Sequence, residues 1–384
     1  MTGAIVNAKI LLEDGVIWNG TVLWSGDRII ASGRAEDVEV PEDASVTDAR
    51  GLYAAPGLID IHNHGGPDLL FHEDPEGCLR HVLRHGVTTV LPTLYCDLDA
   101  ETLLRAISLL KEISAAGIGR MIAGLYMEGP YMGGFGSNRE GILWNGDVSR
   151  EEYGEIVSAA AGFARVWAID PARQGIEGFM SDVRVSDPGA IFAMGHSRAT
   201  AADCRRVKKY GLRLQTHHGD SGKAPGRNQV SVGAGCDEFT LYDPDIYAEV
   251  ISDEVGIHLD PDMLKLVLRS KGSERVILIS DSMPDKHRFR NDEKEGVLWG
   301  PDLNYDYEGH LAGSHITLDR ACRNMMAHTG CGICGAIRMA TATPARLLGL
   351  DANRGSLEPG KLADVILTDD TADVKAVFFR GERI

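Results

Sequence analysis

Long apolar runs, paired cysteines and positive charge are all scarce in this chain. No apolar stretch reaches the ~18–20 residues that a bilayer-spanning helix needs, so a helical membrane protein is not expected. The opening MTGAIVNAKILLEDG lacks the basic start and unbroken apolar run of a secretion signal, and the expected location is cytoplasmic. Seven cysteines scattered over 384 residues form no disulfide scaffold and suit a reducing compartment. Cys331 and Cys334 make a CxxC, but no second pair accompanies them, and they read as ordinary thiols near a helix. Lys and Arg number 39 against 56 Asp and Glu, a formal net charge of −17. That excess repels phosphate backbones and anionic lipid, which argues against nucleic-acid and membrane partners. A small-molecule substrate fits, even an anionic one, because a local basic pocket overcomes a diffuse negative field. Internal repeats and low-complexity tracts are also missing.

What is present is the balance of a globular protein with a substantial core, 43% hydrophobic and 25% charged. Its length suits one large domain plus a smaller unit. Residues 1–55 read as short strands broken by turns, and LADVILTDD with VKAVFFRGERI repeats that style at the other end. Between them, apolar runs alternate with amphipathic stretches such as ETLLRAISLLKEISAAG, the pattern of βα units around a parallel sheet. Eight runs stand out: 57–62, 87–94, 121–128, 165–170, 190–197, 212–218, 247–253 and 275–282. The expected fold is α/β, a (β/α)8 TIM-type barrel over 56–350. A small β-sandwich domain formed by both chain ends, 1–55 and 351–384, completes it. A doubly wound open sheet is the alternative, but eight runs each capped by polar groups favour the barrel, whose strand ends share one catalytic face.

Those caps carry the chemistry. In PGLIDIHNHGG, His62 and His64 are two residues apart, so an extended strand points both rings to one side, where neutral imidazoles suit a first-row metal. Asp60 shares that side and is placed to orient a ring or touch the metal. Glu128 ends the third run, where a carboxylate can ligate one ion or bridge two. His196 in AMGHS and His217 in QTHHGD end the fifth and sixth runs and complete a ligand set. His218 should face away from its neighbour, as an outer contact or loop residue. Asp281 in LISDSM ends the eighth run, placed to take a proton from an attacking water and return it to a leaving group. The competing reading of Asp281 is a helix cap, with Ser282 as rival.

These residues resemble the amidohydrolase superfamily, and within it the N-acetylglucosamine-6-phosphate deacetylases. The resemblance covers nearly the whole chain: the HxH, EGPY, GHSRAT, the TH of the sixth run, GIHLDP, SDSM, AGSHITLDRACRN, RMATATPARLLGL and GSLEPGKLADVIL. It implies metal ligands at Glu128, His196 and His217, and a second ion at His62 and His64 with Glu128 shared. It further implies substrate binding by His258 and acid–base work by Asp281. The divalent metal is expected to be zinc, with iron or manganese as alternatives, one or two per chain, in a homodimer.

Three stretches depart from that family's pattern. HHGDSGKAPGRNQ stands where a Leu-(Phe or Tyr)-Asn-Ala-Met segment is usual, FGSNREGI where Lys-Gly-Ala-His is usual, and IDPA where Ala-Pro-Glu is usual. Substrate contacts are therefore expected from His258, Arg227, His218 and Asp220, with Arg227, Lys223 and Arg139 as the cations available to an anionic group. The expected activity is removal of an acetyl group from an N-acetylated amino sugar or its phosphate. Hydrolysis of another N-acyl compound or a cyclic amide is the alternative, and a barrel kept as an inert scaffold is a third reading, at odds with an intact ligand set.

Overall fold

Runs rich in Val, Ile and Leu without alternation belong to strands buried on both faces, as in parallel sheets. In the computed structural model, which describes residues 2–133, 143–144, 146–220, 233–284, 298–306 and 309–384, each of the eight runs carries such a strand, three of which reach one residue beyond their run. They are Leu58–Asn63, Val87–Tyr95, Leu125–Glu128, Ala164–Ile169, Ile191–Met194, Leu212–Gln215, Tyr247–Val250 and Val276–Leu278. Each pairs in parallel with its sequence neighbours, in unbroken chain order. Pro92 in the second strand cannot donate to a ladder, and the register slips there as bulges allow. The hydroxyl of Thr93 instead accepts the N–H of Asn63 at 2.9 Å.

The barrel closes between its first and eighth strands. Asp281 donates its N–H to His62 O at 2.9 Å, and His64 donates to Ser282 O at 2.9 Å. Beneath them the carboxylate of Asp60 accepts from Ser280 Oγ at 2.6 Å and Asn63 Nδ2 at 3.1 Å. Asp60 thus stitches the seam and does not reach the histidine rings.

The helices start where their sequences supply caps. Asp74 accepts the N–H of Gly77 before Pro75–Arg84, Asp99 that of Thr102 before Ala100–Ser114, and Thr200 with Asp203 forms a capping box for Ala201–Val207. Their apolar faces merge with the strands in one large core. No helix among the described residues is long and apolar enough to cross a membrane.

Both chain ends build a separate eight-stranded sheet. Tyr53–Pro56 lies between Thr2–Leu11 and Val365–Thr368, so the last strands fold back on the first. Ile5, Ile10, Val22, Trp24, Val365 and Phe378 share its own apolar cluster. Cys331 and Cys334 are free thiols, and Cys334 faces the carbonyl of Gly15 at 3.5 Å.

A short hairpin after the eighth strand, Leu303–Tyr305 with Leu311–Ser314, lies at the barrel mouth. Ser314 donates its N–H to Asp281 O at 2.8 Å. Gly313 makes this approach possible: its φ is +71°, and a Cβ there would sit 2.8 Å from Asp281 O.

Candidate metal centre

Six side chains named from the sequence converge at the barrel mouth, and all six are buried. Glu128 is their hub. Its Oε2 faces His62 Nε2 at 3.6 Å and His64 Nε2 at 3.3 Å. Its Oε1 faces His196 Nε2 at 3.0 Å and His217 Nε2 at 3.2 Å. Asp281 Oδ1 closes the first lobe, 3.1 Å from His64 Nε2 and 3.4 Å from His62 Nε2. Two triads of donors, His62–His64–Glu128 and Glu128–His196–His217, each bring their ligand atoms within 4.8 Å of one another.

Local backbone geometry explains the convergence. His62 and His64 straddle the end of one strand, and their alternation turns both rings inward. His196, His217 and Asp281 lie beyond the last ladder residues of their strands and adopt φ of +44°, +26° and +48°. This left-handed region is uncommon for residues with a side chain. It breaks the ladder and redirects each side chain over the barrel mouth.

The donor set fits a divalent cation. His62 Nε2 is buried, aimed into the cluster, and has no hydrogen-bond partner among the described residues. His196 Nε2 and His217 Nε2 lie 3.1 Å apart while both face one carboxylate oxygen. Two imidazole nitrogens and a carboxylate oxygen crowded this closely form the donor set that surrounds a first-row metal. Electrostatics agrees. Burial pushes the Glu128 carboxyl up, but His62, His196 and His217 outweigh it and hold it well below its ordinary range. Asp281 is likewise lowered against its burial, by His62 and His64. Burial opposes charge on His62 and His64, yet the facing carboxylates raise both. The buried carboxylates thus favour positive charge beside them, on the imidazoles or on a bound cation.

Around the cluster the sequence expectations divide. His258 faces Asp220 Oδ2 through Nδ1 at 3.1 Å and Gly313 O through Nε2 at 3.3 Å, beside the first lobe's hairpin. Burial raises the Asp220 carboxyl, but His258 overcomes this and holds it well below the usual range. His218 turns away, pairing with Gln215 Oε1 at 2.6 Å, and burial pulls it down to about 4. Arg227, Lys223 and Arg139 lie outside the described residues.

Two further acids escaped the sequence reading. Glu249, inside the seventh strand, accepts from His62 Nδ1 at 3.1 Å. Asp253 accepts the N–H groups of Gly256, Ile257 and His258 at 2.7–3.0 Å, shaping the turn that presents His258. The signal was available for Glu249: a lone charge within YAEV, a strand otherwise fit for the core. The fourth strand's departure also has a partner, since Asp170 takes the hydroxyl of Ser197 from the GHS turn.

Comparison with known proteins matches this geometry. The amidohydrolase family pattern covers residues 53–384. An N-acetylgalactosamine-6-phosphate deacetylase of Escherichia coli O157:H7 is 30% identical, over 100% of this chain and 99% of its own. An N-acetylglucosamine-6-phosphate deacetylase of Caenorhabditis elegans is 26% identical over 99% of this chain and 93% of its own. Among solved structures, the N-acetylglucosamine-6-phosphate deacetylase of Pasteurella multocida superposes with a TM-score of 0.87 at 24% identity, covering 100% of both chains. That of Mycobacterium smegmatis, solved as a variant with N-acetyl-D-glucosamine-6-phosphate, gives 0.81 at 25% identity over 100% of this chain and 99% of its own. With the HxH strand, the shared Glu128 and the strand-end histidines in one barrel mouth, this chain belongs to the amidohydrolase family.

Proposed function

We propose that this chain is a metal-dependent deacetylase of an N-acetylated amino sugar phosphate, such as N-acetylglucosamine-6-phosphate. The observation that carries the reading is Glu128, whose two oxygens divide between two histidine pairs with Asp281 facing one of them. Full-length similarity to deacetylases of both the gluco and galacto phosphosugars supports the substrate class.

His62, His64 and Glu128 would hold one divalent ion, and Glu128, His196 and His217 another, with zinc favoured by the nitrogen-rich set and iron or manganese as alternatives. Bound there, such an ion would polarise an amide carbonyl and lower the pKa of water toward ~7. Asp281, ionised in its buried setting, takes a proton from the attacking water and delivers it to the amine nitrogen as the C–N bond breaks. Without that proton the amine is a very poor leaving group. His258, fixed between Asp220 and Gly313 O, contributes to substrate binding at the mouth. Arg227 is the candidate for the phosphate, since a guanidinium fork makes two hydrogen bonds at once. His218, paired with Gln215, acts from behind the site. A cytoplasmic homodimer is the form in which we expect it to work.

The test is an amine-release screen over both 6-phosphorylated N-acetylhexosamines, their unphosphorylated forms and N-acyl amino acids. Turnover is expected on a phosphosugar. Turnover confined to N-acyl amino acids or cyclic amides would replace this substrate with the second reading.

A further inference from the structure

Glu249 is fully buried, and among the described residues no lysine or arginine is one of its hydrogen-bond or ion-pair partners. A carboxylate so placed is costly unless its neighbours satisfy it. Its Oε2 collects three contacts: His62 Nδ1 at 3.1 Å, the N–H of His217 at 3.3 Å, and the hydroxyl of Tyr126 at 3.5 Å. Its Oε1 has no hydrogen-bond partner among the described residues. Glu249 belongs to neither triad of candidate ligands, because the His62 ring stands between it and the cluster.

An imidazole has two distinct nitrogens, and a partner on one decides where the proton sits. In the neutral ring that ligates a metal, an acceptor at Nδ1 of His62 keeps the proton there and leaves the Nε2 lone pair aimed into the cluster, where that atom has no hydrogen-bond partner among the described residues. Tyr126 lies against the same ring, centroids 4.4 Å apart, and restricts its plane. The third contact ties this arrangement to the other lobe, since the His217 backbone held by Glu249 is the one at φ +26°.

We propose that Glu249 is a positioning residue: one buried oxygen sets the His62 tautomer in the first lobe and pins the strained His217 turn in the second. The proposal rests on the metal reading above, and it predicts that the first lobe depends on Glu249 more than the second, because only there does Glu249 touch a ligand's ring.

The test uses the full-length protein, with Glu249→Ala and Glu249→Gln variants, zinc as the probe, and two readouts. Competition against a chromophoric chelator measures each zinc affinity. Nitrogen NMR of the imidazoles in metal-free protein, taken above the raised pKa of the ring, reports the His62 tautomer. In Glu249→Ala, the first-lobe affinity should fall ~10–100-fold, the range seen when an outer partner of a ligand is lost, and the His62 proton should spread over both nitrogens. Glu249→Gln keeps an acceptor facing Nδ1 and should restore most of the affinity and the tautomer. An unchanged tautomer and affinity in the Ala variant would overturn the proposal. So would equal losses at both lobes in the Ala and Gln variants, which would make Glu249 a general prop of the fold. Wild-type protein that takes no zinc would defeat the metal reading separately, and the His62 tautomer in the two variants would still decide the role of Glu249.

Discussion

The two lobes of the histidine cluster reach the same carboxylate by different backbone routes. His62 and His64 come from one strand end and need only its alternation to face inward. His196 and His217 come from separate strands, beyond the ladders, at φ +44° and +26°. A residue held in such a region costs roughly 1–3 kcal/mol and persists only where its surroundings over-determine it. The surroundings here are specific. A Cβ on Gly195 would sit 2.7 Å from Thr216 Cβ, so the two turns pack at backbone distance. Thr216 in turn hydrogen-bonds Tyr126 at 2.8 Å, and the N–H of His217 is held by Glu249. The inward direction of one lobe's rings is a local product of sequence; that of the other's is maintained by its neighbours.

The largest effect is expected at the residue that faces the periodic lobe. Asp281→Asn preserves shape but removes the proton carrier, so kcat should fall by roughly 10²–10⁴-fold while metal content stays at the wild-type level. Near-normal turnover would move the acid–base to another group.

The lobes themselves can be separated by elemental analysis and metal titration. His64→Gln should weaken the first ion, and His196→Gln the second, each by more than the ~100-fold attached to an outer partner, whereas Glu128→Gln should weaken both. If His64→Gln empties both lobes, they form one unit and the contrast drawn above fails.

Neither lobe is expected to choose the substrate. Arg227→Ala should raise KM for the best anionic substrate about 10–100-fold, the worth of a hydrogen bond to a charged group, with kcat little changed. An uncharged N-acetyl analogue should scarcely respond. Equal losses on both substrates, measured by steady-state kinetics, would remove Arg227 from the pocket.

The smallest effect concerns the support of the strained lobe. Thr216→Val keeps the packing beneath Gly195 but deletes the bond to Tyr126, and denaturant unfolding should show a loss of about 0.5–1.5 kcal/mol. A larger loss accompanied by a weakened second ion would mean that this hydroxyl holds the His217 turn directly.

The sequence by itself determined the barrel, because eight doubly buried strands need eight apolar runs and each leaves its mark locally. It also determined the HxH lobe, since a spacing of two translates directly into one face of a strand. The positions of Glu128, His196, His217 and Asp281 were legible as polar caps on apolar runs, but their division into two lobes sharing Glu128 came only from the family resemblance, and the assignment of its separate oxygens only from the structure. That division depends on left-handed turns at three strand ends, and φ at a histidine or aspartate is set by what packs around it. Asp60 shows the limit from the other side: alternation put it on the histidine face, while the closing seam claimed it for Ser280 and Asn63. The roles of Glu249 and Asp253 were hidden for the same reason, although the lone charge of Glu249 within YAEV marked its position. A buried carboxylate takes its meaning from donors that arrive from distant strands and loops, and only the tertiary structure decides which donors those are.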